Sequence, residues 1–148
     1  MMDNIISQDL DKIKSILKAD TFVGKKVLIT GGAGFIGSWL CDVLIRFGSE
    51  VTVVDDLSTG RMKNIDHLTG NPKFKLIKSD VCKFKTEDKF EVILHIAGHA
   101  SPDEYQQHPI ETLQTSALGT ENMAELARKS DAMPVSYTHL TLPTTPYV

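Results

Sequence analysis

Cysteine is scarce in the 148 residues: only Cys41 and Cys82 occur, and they form no CxxC pair. That argues against a disulfide scaffold or a zinc site and leaves both as small packing residues. No apolar run approaches the roughly 20 residues of a membrane span, so no membrane partner is expected. The start, MMDNIISQDLDKIK, lacks the basic and apolar regions of a signal peptide, which predicts a cytoplasmic protein. Neither sign of charge dominates: the net charge is -3 and the pI near 5.9, which gives no basic footprint for nucleic acid. Five histidines are present, but no Cys or carboxylate cluster completes a coordination shell around any of them. His95 and His99, the closest pair, fall at a strand end and in a loop, so their spacing does not place them on one helical face.

What is present is an ordinary globular composition, 41% hydrophobic and 24% charged, enough for one core. Residues 1–24 read as an amphipathic N-terminal helix and linker: Ile6, Leu10, Ile13 and Leu17 recur at helical spacing before Gly24 breaks the pattern. The interleaved Lys and Asp suit packing on the outside of the domain. Val27 to Thr30 predict a first strand. Phe35, Ile36, Leu40, Val43, Leu44 and Phe47 trace one side of a helix that stops near Gly48. Val51 to Val54 predict a second strand, all aliphatic as in a parallel sheet covered on both faces. Phe74 to Ile77 and Glu91 to Ile96 predict a third and a fourth.

A loop from Ala97 to His108 follows, and Pro109 opens a long helix with a buried stripe of Ile110, Leu113, Ala117, Thr120, Ala124 and Ala127. Gly119 inside that helix predicts a close crossing against a neighbour. Asp103 and Glu104 read as solvated loop charges. The alternation of strands and helices is that of an α/β, doubly wound parallel (Rossmann) sheet, truncated after about four strands.

The stretch KVLITGGAGFIGS carries the chemistry. It sets Gly31, Gly34 and Gly37 directly after a strand and ahead of a helix, where glycines allow a tight reversal, close approach of a pyrophosphate and close helix packing. The helix N-terminus then offers amides and the positive end of its dipole to the anion. Asp55 ends the next strand, placed to accept both ribose hydroxyls and to repel a 2′-phosphate, which favours NAD over NADP. Asp56 strengthens that repulsion. Arg61 could hold a phosphate, or could stay solvated or face the diphosphate. Asp80 could reach an adenine amino group or serve as a loop cap.

The last 15 residues, PVSYTHLTLPTTPYV, differ in texture from the rest: three prolines, four threonines, no charge and no clean period. Val135 to Thr144 can be encoded by GTC TCT TAT ACA CAT CTG ACG CTG CCG ACG, which resembles the constant adapter of transposase-made sequencing libraries. Residues 134–148 are therefore expected to be a non-native tail, and 25–133 a partial cofactor-binding domain. A genuine Thr and Pro-rich linker or edge strand is the alternative.

With these pieces assembled, residues 25 to 133 resemble the extended short-chain dehydrogenases/reductases, in the group of NAD-dependent sugar-nucleotide epimerases, dehydratases and decarboxylases. The matching stretches are ITGGAGFIGS, VVDDLSTG, SDV, HIAGHASP and HPIETLQTSALGTENM. The run HIAGHASPDEYQQHPIETLQT is most similar to UDP-glucuronate decarboxylases, with Ser101, Pro102, Tyr105 and Pro109 matching, His108 in place of an Asn, and Ser116 where the family usually has Asn.

The resemblance implies that Gly31, Gly34, Phe35, Ile36, Gly37, Asp55, Asp56, Thr59, Gly60, Asp80, Val81 and Ala97 bind NAD, and that Ser101 and Tyr105 contact a nucleotide-sugar, a UDP-sugar by this likeness. It implies transient oxidation at C4 of the sugar, with a Tyr of a YxxxK motif as base. Four residues after Tyr105 stands Pro109, four after Tyr137 stands Thr141, and Tyr147 has no room for the motif; no catalytic residue is assigned. The resemblance further implies a homodimer paired through the helix that starts near Pro109. The alternatives are a non-catalytic NAD(H)-binding regulatory module, or a UDP-glucose 4-epimerase or dTDP-glucose 4,6-dehydratase of the same group.

Overall fold

Burial on both faces along β1 (Lys26–Thr30) organises the molecule, described over residues 4–16, 21–99 and 101–137 of a computed structural model. Successive side chains of a strand point to opposite faces. Val27 and Ile29 accordingly enter one core cluster, with Cys41 and Leu44 of helix α2 (Phe35–Arg46), while Leu28 enters a second with Phe84, Phe90, Met123 and Ala127. Strands β2 (Glu50–Asp55) and β4 (Val92–His95) divide in the same way, with Val53 and Val92 on the first face and Val54 and Ile93 on the second. Each such buried aliphatic side chain contributes about 1.5–3 kcal/mol, which is why these runs carry no polar alternation.

With β3 (Phe74–Lys78) and β5 (Met133–Ser136) the sheet reads β3-β2-β1-β4-β5, every pairing parallel. Helix α1 (Asn4–Ile16) packs on α2 through Leu10, and Asp11 pairs with Arg46. Leu17 of the expected stripe lies outside the described residues. No described helix is long and apolar enough to cross a membrane.

Three features differ from the sequence pattern. The expected loop at 97–108 contains a helix, α3 (Pro102–Gln107), with Ser101 as N-cap accepting from the Glu104 amide at 3.3 Å and Pro102 in its first turn. Asp103 and Glu104 are therefore first-turn acids of a helix rather than loop charges.

The long helix is also broken, into α4 (Pro109–Gln114), a π-helical turn (Thr115–Gly119) and α5 (Thr120–Ser130). The extra residue of a π-turn shifts the helical phase. The buried positions are Gly119, Met123 and Ala127, whereas Ile110 and Leu113 are 67% and 69% exposed. Gly119 does make the expected close crossing: a Cβ there would stand 2.9 Å from Val81 Cγ1.

Lastly, β5 pairs along β4, so the sheet has five strands and the fifth uses Pro134 to Ser136 of the segment expected to be foreign. The Met133 and Tyr137 amides donate to Glu91 and His95 carbonyls, and Pro134, out of phase with both, needs no ladder partner.

Candidate cofactor cleft

The carboxyl ends of β1, β2 and β4 surround a cleft of about 440 Å³. It opens where the chain order reverses, β1 having β2 on one side and β4 on the other, the usual crevice of an open α/β sheet.

Its floor is the turn after β1. Gly31 sits at φ +71 and its amide donates to Val54 O at 2.9 Å. A Cβ on Gly31 would lie 2.8 Å from Ala97 Cα, and one on Gly37 would lie 2.2 Å from Gly31 O. Both contacts are too short for any side chain, so the turn must be glycine to let β1, β4 and α2 converge. Gly34 precedes α2 without a side-chain cap, and the Ser38 amide returns to its carbonyl at 3.1 Å. The first-turn amides of α2 therefore have no intrahelical partner. Phe35 and Ile36, expected in the buried stripe of this helix, instead line the cleft, and Phe35 is 81% exposed.

Asp55 closes one wall. Its Oδ2 accepts from the Ala33 amide and its Oδ1 from the Leu57 amide, each at 2.8 Å, in a setting almost sealed from solvent. Leu57 adopts φ +64, a left-handed conformation uncommon for a branched side chain and held here by that bond to Asp55. Asp56 turns outward and accepts from the Ser58 amide and hydroxyl. Arg61 gives its amide to Ala33 O at 3.0 Å, and its side chain is exposed and outside the lining.

Asp80 takes the loop-cap arrangement, accepting from the Cys82 amide at 2.8 Å with Lys83 Nζ 3.5 Å away. Burial pushes its carboxyl up, but the Cys82 and Lys83 partners outweigh that and hold it below the ordinary carboxylate value.

The remaining wall is the segment after β4. Ala97 and Ser101 line the cleft, but Tyr105 does not. All twelve residues proposed from the sequence for the cofactor, together with Ser101, thus meet at one cavity. Ser58, Ser79, His99, Glu104 and Thr115 line it as well. Ser58 and Ser79 stand inside the quoted stretches VVDDLSTG and SDV. Thr115 stands inside the quoted stretch HPIETLQTSALGTENM but off the expected buried stripe, because the π-turn that brings it there is invisible to helical periodicity. His99 lies 3.9 Å from Glu104 and against His108, ring centroids 6.1 Å apart. Among the described residues no group of three His, Cys, Asp or Glu side chains could hold a metal ion.

A bare glycine floor, helix amides and a carboxylate at the second strand end are the donor and acceptor set that a dinucleotide requires, and the residues fit NAD.

The family model described as GDP-mannose 4,6 dehydratase matches residues 28–140. UDP-glucuronic acid decarboxylase 1 of Xenopus tropicalis is 41% identical over 131 residues, 88% of this chain and 30% of that protein. The Danio rerio protein of the same name is 47% identical over 108 residues, 73% of this chain and 26% of its own length. The chain spans under a third of the length of these curated relatives. Among solved structures, a UDP-galactose 4-epimerase superposes with a TM-score of 0.65 at 33% identity, over 75% of this chain and 37% of that one. A Thermus thermophilus UDP-glucose 4-epimerase complex with NAD superposes with a TM-score of 0.58 at 30% identity, over 72% of this chain and 35% of that one.

Proposed function

We propose that this chain, which belongs to the extended short-chain dehydrogenases/reductases matched by the GDP-mannose 4,6 dehydratase model, is the NAD-binding part of a sugar-nucleotide enzyme of the UDP-glucuronate decarboxylase kind. The observation that carries the reading is the position of Asp55, at the end of β2 and within one hydrogen bond of the glycine turn. From there its outer lone pairs can accept ribose hydroxyls while the turn and the α2 amides hold the diphosphate. Phe35 and Ile36, which line the cleft, would cover the dinucleotide from the solvent side. When bound, NAD would take a hydride from C4 of the sugar and return it. The chain's own part is to bind and orient, and Ser101 would meet the sugar at the rim. Tyr105, outside the lining, would reach the substrate only at that rim.

The UDP-sugar and the self-association belong to the intact protein. The pairing face we assign to it is the outward side of α4, where Ile110 and Leu113 are bare. Residues 134–148 we take as foreign to that protein, and sequencing the locus by an adapter-free method should give different codons after Met133.

Calorimetric titration of the full chain with NAD and NADP tests the reading. NAD should bind and NADP should bind at least about ten-fold more weakly, as expected when a 2′-phosphate meets two carboxylates. Equal affinities, or no binding of either, would remove it. A second reading is a regulatory NAD(H) module, which would keep the glycine turn and Asp55 and dispense with a YxxxK motif. A YxxxK motif in the native sequence beyond Met133 would exclude it.

A further inference from the structure

The segment after β4 carries a side-chain pair with no role in the account above. His99 lines the cleft, and its ring is held on two sides. His108 lies against one face, with ring centroids 6.1 Å apart and planes inclined by 29°. Glu104 stands at one edge, its Oε2 3.9 Å from His99 Nδ1, and the bond from its amide to the Ser101 hydroxyl oxygen sets its own place in the first turn of α3. Nδ1 is buried without a hydrogen bond, since 3.9 Å is too long for one. Nε2 is not buried in this way and has no partner among the described residues. It is the edge of the ring that a ligand can reach.

A neutral imidazole has one N–H and one acceptor nitrogen, and its surroundings decide which is which. A carboxylate only accepts, so Glu104 favours the proton on the nearer nitrogen, Nδ1. Nε2 then presents a lone pair to the cleft. The order of the strands says what meets it. Adjacent strands lie about 4.8 Å apart, so the ends of β2 and β4, on either side of β1, are separated by about 10 Å. A dinucleotide with its first ribose at Asp55 and its diphosphate at the turn after β1 sends its second ribose toward β4. An acceptor nitrogen backed by a carboxylate repels a phosphate and suits a hydroxyl donor. We infer that His99 Nε2 accepts a hydrogen bond from a hydroxyl of that second ribose, which makes His99 a binding residue for the nicotinamide half of the cofactor and Glu104 its positioning residue.

The inference rests on the reading of the cleft as an NAD site, and calorimetric titration of the full chain with ADP, ADP-ribose and NAD at pH 7.5 separates the two. ADP ends at the diphosphate, whereas ADP-ribose and NAD both carry the second ribose. His99→Phe, which keeps a ring against His108 but offers no acceptor, should bind ADP-ribose and NAD about five-fold more weakly, the scale of one lost hydrogen bond. Its ADP affinity should hold, which also reports that the variant is folded. Equal losses for all three nucleotides, or no loss for any, would overturn the assignment alone. Failure of the unaltered chain to bind any of the three would instead remove the cofactor reading and the assignment together. The role of Glu104 has a readout that needs no cofactor. Long-range 1H–15N spectra of the free chain at pH 7.5 should show His99 mainly as the Nδ1–H tautomer, and Glu104→Ala should raise the Nε2–H share. An Nε2–H tautomer in the unaltered chain, or no change in Glu104→Ala, would overturn that role.

Discussion

The Ala33 amide donates to Asp55 Oδ2 at 2.8 Å, a buried bond that joins the turn after β1 to the end of β2. The acid expected to read the ribose therefore also holds the turn expected to hold the diphosphate. Asp55→Ala should orphan the Ala33 and Leu57 amides together. We expect a loss of about 2–3 kcal/mol in urea denaturation, from one buried donor at about 1–2 kcal/mol and one half-buried donor at about 1 kcal/mol. NAD affinity should fall more than NADP affinity, and equal falls would separate the structural duty of Asp55 from any choice of cofactor.

Gly37 and Gly34 make a matched pair. A Cβ at Gly37 would overlap Gly31 O, whereas one at Gly34 would meet the same oxygen at 3.2 Å with an ordinary extended backbone. Gly37→Ala should cost about 3 kcal/mol or more, and Gly34→Ala under about 1 kcal/mol. Thermal melts of the two variants check the order.

Burial of His95 also makes stability depend on pH. Its folded pKa lies below the ordinary value of 6.5, so below that pH the unfolded chain binds a proton that the folded chain refuses. This contribution is fully present above pH 6.5 and is lost as pH falls from there toward the folded value. Urea midpoints measured from pH 7.5 to 5.0 should decline for the wild type more steeply than for His95→Gln.

Asn122 clamps the segment after β3 from α5. Its Nδ2 donates to Val81 O at 2.7 Å and to Phe84 O at 2.8 Å, and its Oδ1 accepts from Lys85. Asn122→Ala should cost about 1–3 kcal/mol. Because Val81 lines the cleft, NAD affinity should fall as well, measured by the same titration.

The strand β5 guards an edge. Truncation before Met133 would bare the backbone of Val92 to His95, whose side chains already fill both cores, and light scattering should report aggregation.

Much of this was legible in the sequence because it followed from local rules. The aliphatic run Val51 to Val54 announces a strand covered on both faces, and the glycine spacing after β1 announces the cleft. Three things were hidden. Ser101 and Pro102 are a helix start that the surrounding His, Ser and Pro residues disguised as a loop. The π-turn at Thr115–Gly119 displaced the buried stripe to Gly119, Met123 and Ala127, which no constant 3.6-residue period can reveal. Periodicity alone also hid Phe35 and Ile36, which follow the apolar spacing of α2 yet line the cleft and were assigned to the cofactor only through the resemblance.

The parallel sheet also dictates when the molecule can assemble. Val27 finds its β4 neighbour only at Val92, and the Thr30 to His95 contact closes a span of 65 residues. During synthesis β1, β2 and β3 can associate first, but the cleft stays without its second wall until the chain through Ala97 has left the ribosome. Long-range pairing of this kind slows folding and leaves apolar strands exposed to other chains in the interval. The yield of native protein should accordingly be governed by how fast residues 92–97 arrive, more than by the final stability of the fold.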